Sequence, residues 1–310
     1  MVGPLPVETR PALIKSMATK KKPAVVTVEQ VKAAIENRRI IVVPVDKGVG
    51  HFYQAFFRWS KEMIGEFRSV TGINDIIGGG KTRALMGWAK KICIAALLED
   101  LAKMERETGK MLHEFTPEMA RLIEKNEPTG IPWLDVAVKI AKGKTENILK
   151  DAADIGHRTH EAIDAYINGK PMEAIDVKVQ TAYNNFIKWA FENDVKWCCG
   201  DLPVVSAKHA FGGRLDALGI MNGELVLFDW KTANDIRDDV ALQMGGYNIA
   251  LFESCGIKAT RGITVRFGKD NPTEFEWAEC ELKHSEKTFL YARGLDEGFR
   301  KKLLWKKVVV

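Results

Sequence analysis

Residues 212–231 read GGRLDALGIMNGELVLFDWK, and the Asn222-Gly223 pair in the middle decides what this stretch can be. A two-residue type I′ turn needs φ > 0 at both positions, which Asn and Gly tolerate best. The flanking runs 215–221 and 225–230 are apolar and strand-like, so the stretch predicts an antiparallel hairpin. The turn sets the register. Met221 opposes Glu224, Asp216 opposes Asp229, and Arg214 opposes Lys231. Side chains alternate along a strand, so Asp216, Asp229 and Lys231 share one face with Leu218, Ile220, Leu225 and Leu227. Leu215, Ala217, Val226, Phe228 and Trp230 take the other. Apolar residues on both faces predict a sheet covered on both sides, hence an α/β fold with a mixed central sheet flanked by helices.

Two opposed carboxylates about 5 Å apart repel each other and destabilise a bare hairpin. A divalent cation between them would remove that cost, and hard cations prefer such oxygen ligands. A bulge that shifts the register would instead leave both aspartates solvated.

Upstream, residues 148–167 carry an apolar stripe of Ile148, Ala152, Ile155, Ile163 and Tyr166. His157, His160, Glu161 and Asp164 stand at i, i+3, i+4 and i+7, so they share a different face of the same helix. One reading is a solvated polar face. The other is that His160 reaches the carboxylates as a neutral imidazole ligand. Downstream, residues 238–253 predict a helix on which Gln243 and Tyr247 lie four apart on one face.

Four clusters then occur in a fixed order: Gly156-His157-Arg158-Thr159-His160, Gly213-Arg214-Leu215-Asp216, Asp229-Trp230-Lys231-Thr232 and Gln243-Met244-Gly245-Gly246-Tyr247. Together they resemble the G-x-x-x-H, G-x-x-D, D/E-x-K and Q-x-x-x-Y pattern of the PD-(D/E)XK nucleases, in the RecB-like, Cas4-like branch that includes many phage exonucleases. The resemblance covers the chain from about Ser69 onward and implies a restriction-endonuclease-like core. It implies Mg²⁺ or Mn²⁺ held by Asp216 and Asp229, with His160 and the Trp230 carbonyl. Lys231 would orient or deprotonate the attacking water, and Gln243 and Tyr247 would position substrate and lysine. Asp201 is the local match to a further acidic position that is usually Glu. Glu161, Asp164 and Arg214 are lower-ranked candidates. The activity implied is a metal-dependent DNA exonuclease of replication, recombination or repair, with a phage origin suggested by the resemblance alone. An endonuclease of the same fold and a catalytically silent DNA-binding module are the competing readings. DNA is the expected partner, joined by a recombination or replication protein. Some relatives bind an iron–sulfur cluster on four cysteines. The spacing of Cys93, Cys198, Cys199, Cys255 and Cys280 does not match theirs, so no cluster is expected.

The bulk numbers fit this picture. The chain has 310 residues, 28% charged and 46% hydrophobic, and a net charge of +5, which permits nucleic-acid binding without demanding it. Five cysteines with no C-x-x-C pair argue against a disulfide framework. There is no apolar run of membrane-spanning length and no signal-peptide core, so the expected place is the cytoplasm, or the host cytoplasm for a phage protein.

Residues 1–65 read as an N-terminal extension: a basic, proline-rich tail, then a helix capped by Thr27 and Gln30, and strands over 40–45 and 51–59. The nuclease domain spans 66–310, with a helical arch over about 83–150 beside the site. Gly78-Gly79-Gly80-Lys81-Thr82 hints at a phosphate loop, but Asp75 stands where the motif's first glycine belongs, so it reads as a connection. Helices are expected over 83–106, from Thr116, over 133–168 with an interruption near Gly143, over 176–193, and over 283–305. Strands are expected over 195–205, 261–267 and 274–281.

Overall fold

A computed structural model of the chain describes residues 26–47, 51–77, 132–172, 176–268 and 274–301, with isolated positions between 99 and 127 and at Asn271. The basic tail, the glycine loop at 78–82, the start at Thr116 and most of the helix expected over 83–106 lie outside the described residues, as does the end of the last helix beyond 301.

The described chain opens with α1 (Val28–Glu36), where Thr27 and Gln30 form the expected reciprocal capping box. Strands β1 (Ile40–Asp46), β2 (His51–Phe57) and β3 (Met63–Ser69) follow, then α2 (Val70–Ile77). Next come the long α3 (Pro132–Ile167), α4 (Val177–Glu192), β4 (Lys196–Ser206), and the hairpin β5 (Phe211–Met221) and β6 (Glu224–Lys231). Helix α5 (Asp238–Cys255), β7 (Arg261–Phe267), β8 (Phe275–Cys280) and α6 (Leu282–Arg300) complete it. The fold is α/β. Its eight strands form one mixed sheet in the order β1-β2-β3-β5-β6-β7-β8, with β4 pairing against β5. β3/β5 and β6/β7 are parallel and the other pairs antiparallel. The strands of the expected N-terminal module therefore continue the central sheet through β3, an element the sequence reading did not contain. α3 runs without interruption through Gly143.

The turn has the predicted chemistry, with Asn222 at φ 54° and Gly223 at φ 78°. One sheet face packs Leu218, Ile220, Leu225 and Leu227 against Met244, Tyr247 and Leu251 of α5 and Phe289 of α6. The other packs Ala217, Val226, Phe228 and Trp230 against Phe186 and Trp189 of α4 and Ile163 of α3. Phe186 is the hub of that second layer, with ring centroids 5.5 Å from Trp230 and 5.6 Å from Tyr166, both edge-to-face. Such pairs add about 0.5–1.5 kcal/mol each beyond their burial. Ile148 and Tyr166, expected on the buried stripe of α3, are exposed. Gly245 in α5 admits a close neighbour, the backbone of α6. A Cβ there would lie 2.3 Å from the Ser285 backbone of α6.

Candidate active site

The β5/β6 ladder runs from Met221↔Glu224 to Ala217↔Phe228 in the predicted register and stops there. Beyond that point β6 continues beside β7, from Asp229↔Thr264 to Lys231↔Arg266, while β5 continues beside β4. The strands part at the position where two carboxylates would have faced each other. Asp216 does not stand opposite Asp229 as a ladder pair. Its Oδ2 accepts a hydrogen bond from the Trp230 backbone N–H at 2.8 Å. Arg214 does not face Lys231 either: it pairs with Pro203 in the β4 ladder and lies 3.1 Å from Asp201. Between the pairs Gly200↔Ala217 and Leu202↔Leu215, Asp201 adopts φ 51°, a left-handed conformation that breaks the pleat of β4. Alternation slips here, and Leu215 packs with Leu218 and Met244 rather than with Ala217 and Phe228. Strict alternation, assumed for the hairpin, cannot anticipate a local break of this kind.

The separation leaves Asp229 with its side chain only 2% exposed and Lys231 Nζ 2.6 Å from its Oδ2. Despite that contact, neither Asp229 oxygen has a hydrogen bond of good geometry. Lys231 Nζ also donates to the Trp230 carbonyl at 3.2 Å. From α3, His160 places Nδ1 3.6 Å from Asp216 Oδ1, just beyond ordinary hydrogen-bond length. From α5, Gln243 Nε2 donates to Tyr247 Oη at 2.6 Å. The Tyr247 ring lies over Gly213, where a Cβ would come within 2.4 Å of it. That close approach gives the first residue of Gly213-Arg214-Leu215-Asp216 a physical reason to be glycine.

The charges set one another. Burial pushes the Asp229 carboxyl up to about 6, against the pull of Lys231, and the charge of Asp216 adds to the rise. Burial would raise Asp216 too, but His160, Lys231 and the Trp230 N–H together hold it below the ordinary carboxylate range. Burial works against charge on Lys231, yet Asp229 and Asp216 outweigh it and keep the ammonium above its usual value. For His160 burial is likewise outweighed, chiefly by Asp216. Burial moves the Tyr247 hydroxyl well above its ordinary value.

His160, Asp216, Trp230 and Thr232 line a cleft of about 710 Å³, while Asp229, Lys231, Gln243 and Tyr247 are not part of its walls. Asp201, Arg214, Glu161 and Asp164 line the same cleft, so the lower-ranked candidates share one space with His160 and Asp216. Glu161 sits at its rim, 3.3 Å from His157. Lys170, which the sequence reading passed over, also lines the cleft and contacts Asp164 Oδ2 at 2.9 Å. The Asn168-Gly169 turn at the end of α3 was the available signal for it, since it folds the chain back toward the helix.

Among the described residues no three His, Cys, Asp or Glu side chains converge into a metal cage. The donor set still suits Mg²⁺ or Mn²⁺, which bind through one or two carboxylates and complete their shell with water and substrate oxygens. Asp216, Asp229 and the Trp230 carbonyl are hard oxygen donors of that type.

No protein-family model and no curated protein matches the chain. A solved structure described as the crystal structure of SSO0001 aligns over 69% of this chain and 87% of its own, at 13% identity and a TM-score of 0.30. A score that low establishes neither a shared fold nor a shared function. No helix among the described residues is long and apolar enough to cross a membrane.

Proposed function

We propose that the protein is a metal-dependent deoxyribonuclease of the PD-(D/E)XK type, acting as an exonuclease on DNA. The observation that carries this reading is Asp229, a buried carboxylate paired with Lys231 and neighboured by Asp216, at the point where β5 and β6 separate. Two carboxylates sharing one ammonium in a buried site leave net negative charge, which is costly, and a further cation lowers that cost. Asp216, Asp229 and the Trp230 carbonyl would hold Mg²⁺ or Mn²⁺, with His160 beside Asp216. When bound, the ion supplies Lewis-acid stabilisation of negative charge on the phosphate.

The rest falls to the chain. Lys231, kept protonated by the two carboxylates, donates rather than accepts a proton, so it orients the attacking water or stabilises the developing charge. Tyr247, tied to Gln243, stays neutral and offers a hydroxyl to the substrate or to Lys231. The cytoplasmic setting, the partner protein and the role in recombination or repair belong to this same proposal.

The test is a nuclease assay on end-labelled linear and circular DNA with Mg²⁺, Mn²⁺ or EDTA. Linear DNA should be degraded, circles spared, and EDTA should stop the reaction. Lys231→Ala should lower kcat by roughly a hundredfold or more while weakening DNA binding far less. Cleaved circles would move the protein to the endonuclease class. DNA bound but not cut with either metal would sink the catalytic reading.

A further inference from the structure

The cleft holds two cations that the chemistry above does not use, Arg214 on β5 and Lys170 just beyond α3. Each is fixed by a carboxylate. Arg214 Nη1 lies 3.1 Å from Asp201 Oδ2, and Lys170 Nζ lies 2.9 Å from Asp164 Oδ2. The two pairs are neighbours, since Asp201 lies within electrostatic reach of Arg214, Asp164, Asp216 and Lys170. Their backbone supports are also joined. Asn168 accepts from the Gly200 N–H at 3.1 Å and donates to Asp164. A Cβ on Gly200 would stand 2.6 Å from Asp164 Oδ1, so the end of α3 is pressed against β4 at this point.

Neither cation is saturated. A guanidinium carries five donors and an ammonium three, and one acceptor occupies only part of either set. Both side chains remain substantially exposed, Arg214 at 44% and Lys170 at 58%. The carboxylates therefore act as braces that hold the donors in place. A polyanion entering this cleft meets Glu161, Asp164, Asp201 and Asp216, and its charge has to be met by other groups. Arg214 stands two residues from Asp216 along β5, roughly 7 Å away, which is on the order of the spacing between successive phosphates of an extended strand.

We propose that Arg214 and Lys170 form a phosphate subsite that holds the backbone phosphate flanking the one under attack, with Asp201 and Asp164 as its braces. The subsite rests on the nuclease reading for its substrate, a DNA strand. It adds that the strand enters along the side of the cleft where α3 meets β4.

The test is binding of a fluorescent single-stranded DNA oligonucleotide in EDTA, followed by anisotropy at several salt concentrations, so that no hydrolysis is needed. Arg214→Ala should raise Kd about tenfold and Lys170→Ala severalfold, as expected for lost charge-assisted contacts. Each should also lower the slope of log Kd against log salt by roughly 0.7, the value for one lost phosphate contact on a single strand. Lys170→Ala keeps the test decisive should Arg214→Ala fail to fold, because the Lys170 side chain is largely exposed. Unchanged Kd in both variants, or weaker binding with an unchanged salt slope, overturns the subsite. Wild-type protein that binds through Arg214 but cuts nothing with either metal keeps the subsite and removes the nuclease reading.

Discussion

The two ends of the β5–β6 hairpin are built from the same two strands and behave in opposite ways. At the turn end, from Ala217↔Phe228 to Met221↔Glu224, the ladder is regular and its side chains are largely buried, apolar on both faces. At the open end the ladder stops, β6 and β5 stay paired only on their other edges, with β7 and β4, and two carboxylates and a lysine occupy the gap. A paired ladder satisfies its backbone groups and fixes geometry. Where pairing is withdrawn, backbone and carboxylate groups become available to other partners, as the bond from the Trp230 N–H to Asp216 shows. The regular end gives the rigidity, and the parted end gathers the buried ionisable groups.

That contrast can be broken by substitution. Phe228 belongs to the regular end and is fully buried against Trp189 and Trp197. Phe228→Ala should cost about 3–5 kcal/mol of stability in urea unfolding, with turnover per folded molecule largely kept. An equal loss of turnover would mean the two ends are not separable. Gly213 belongs to the open end. Gly213→Ala pushes a methyl into the Tyr247 ring and should cost only about 1–3 kcal/mol of stability. Its larger effect is on rate, on the order of tenfold to a hundredfold, because the tyrosine is displaced. Paired urea unfolding and kcat measurements read both.

The smallest effect concerns protons. The Asp229 carboxyl, raised to about 6 by burial, must be ionised to accept a cation. Below that pH the proton competes with the metal, and above it the competition ends. Mn²⁺ affinity measured by calorimetry should therefore fall by about tenfold per pH unit on the acid side of 6 and level off above 7. A flat profile from pH 5 to 7 would remove Asp229 from the ligand set.

Much of this was legible in the sequence, for reasons specific to each element. Asn222-Gly223 fixes a local register, so Met221↔Glu224 and the layering of Leu225, Val226, Leu227 and Phe228 could be read directly. Thr27 and Asp176 cap their helices with short-range bonds that a single window contains. The parting of β5 and β6 was not legible, because it depends on long-range pairing: β3 takes up β5 at Phe211 and Gly212, while β4 and β7 hold the other edges of the two strands across the break. β3 was missed for a similar reason. Met63–Ser69 alternates weakly and is anchored to the core by a short parallel contact, Arg68↔Phe211 and Ser69↔Gly212. Lys170 could not be placed from spacing, because only the packing of Asn168 on Gly200 brings it to the cleft.

The long helix α3 has a mechanical consequence. Its 36 unbroken residues make a rod roughly 54 Å long, braced at one end where Asn168 grips Gly200. Near the other end Val136 and Ile140 are exposed, while Val138 and Ala141 are buried. Pivoting about the brace by about 5° would move His160, two turns away, by roughly 1 Å, and the start of the rod by roughly 5 Å. As a lever the helix has a ratio of about 4–5 between its far end and the cleft, so an ångström-scale adjustment beside Asp216 is geometrically equivalent to a several-ångström shift at the packed start of the rod.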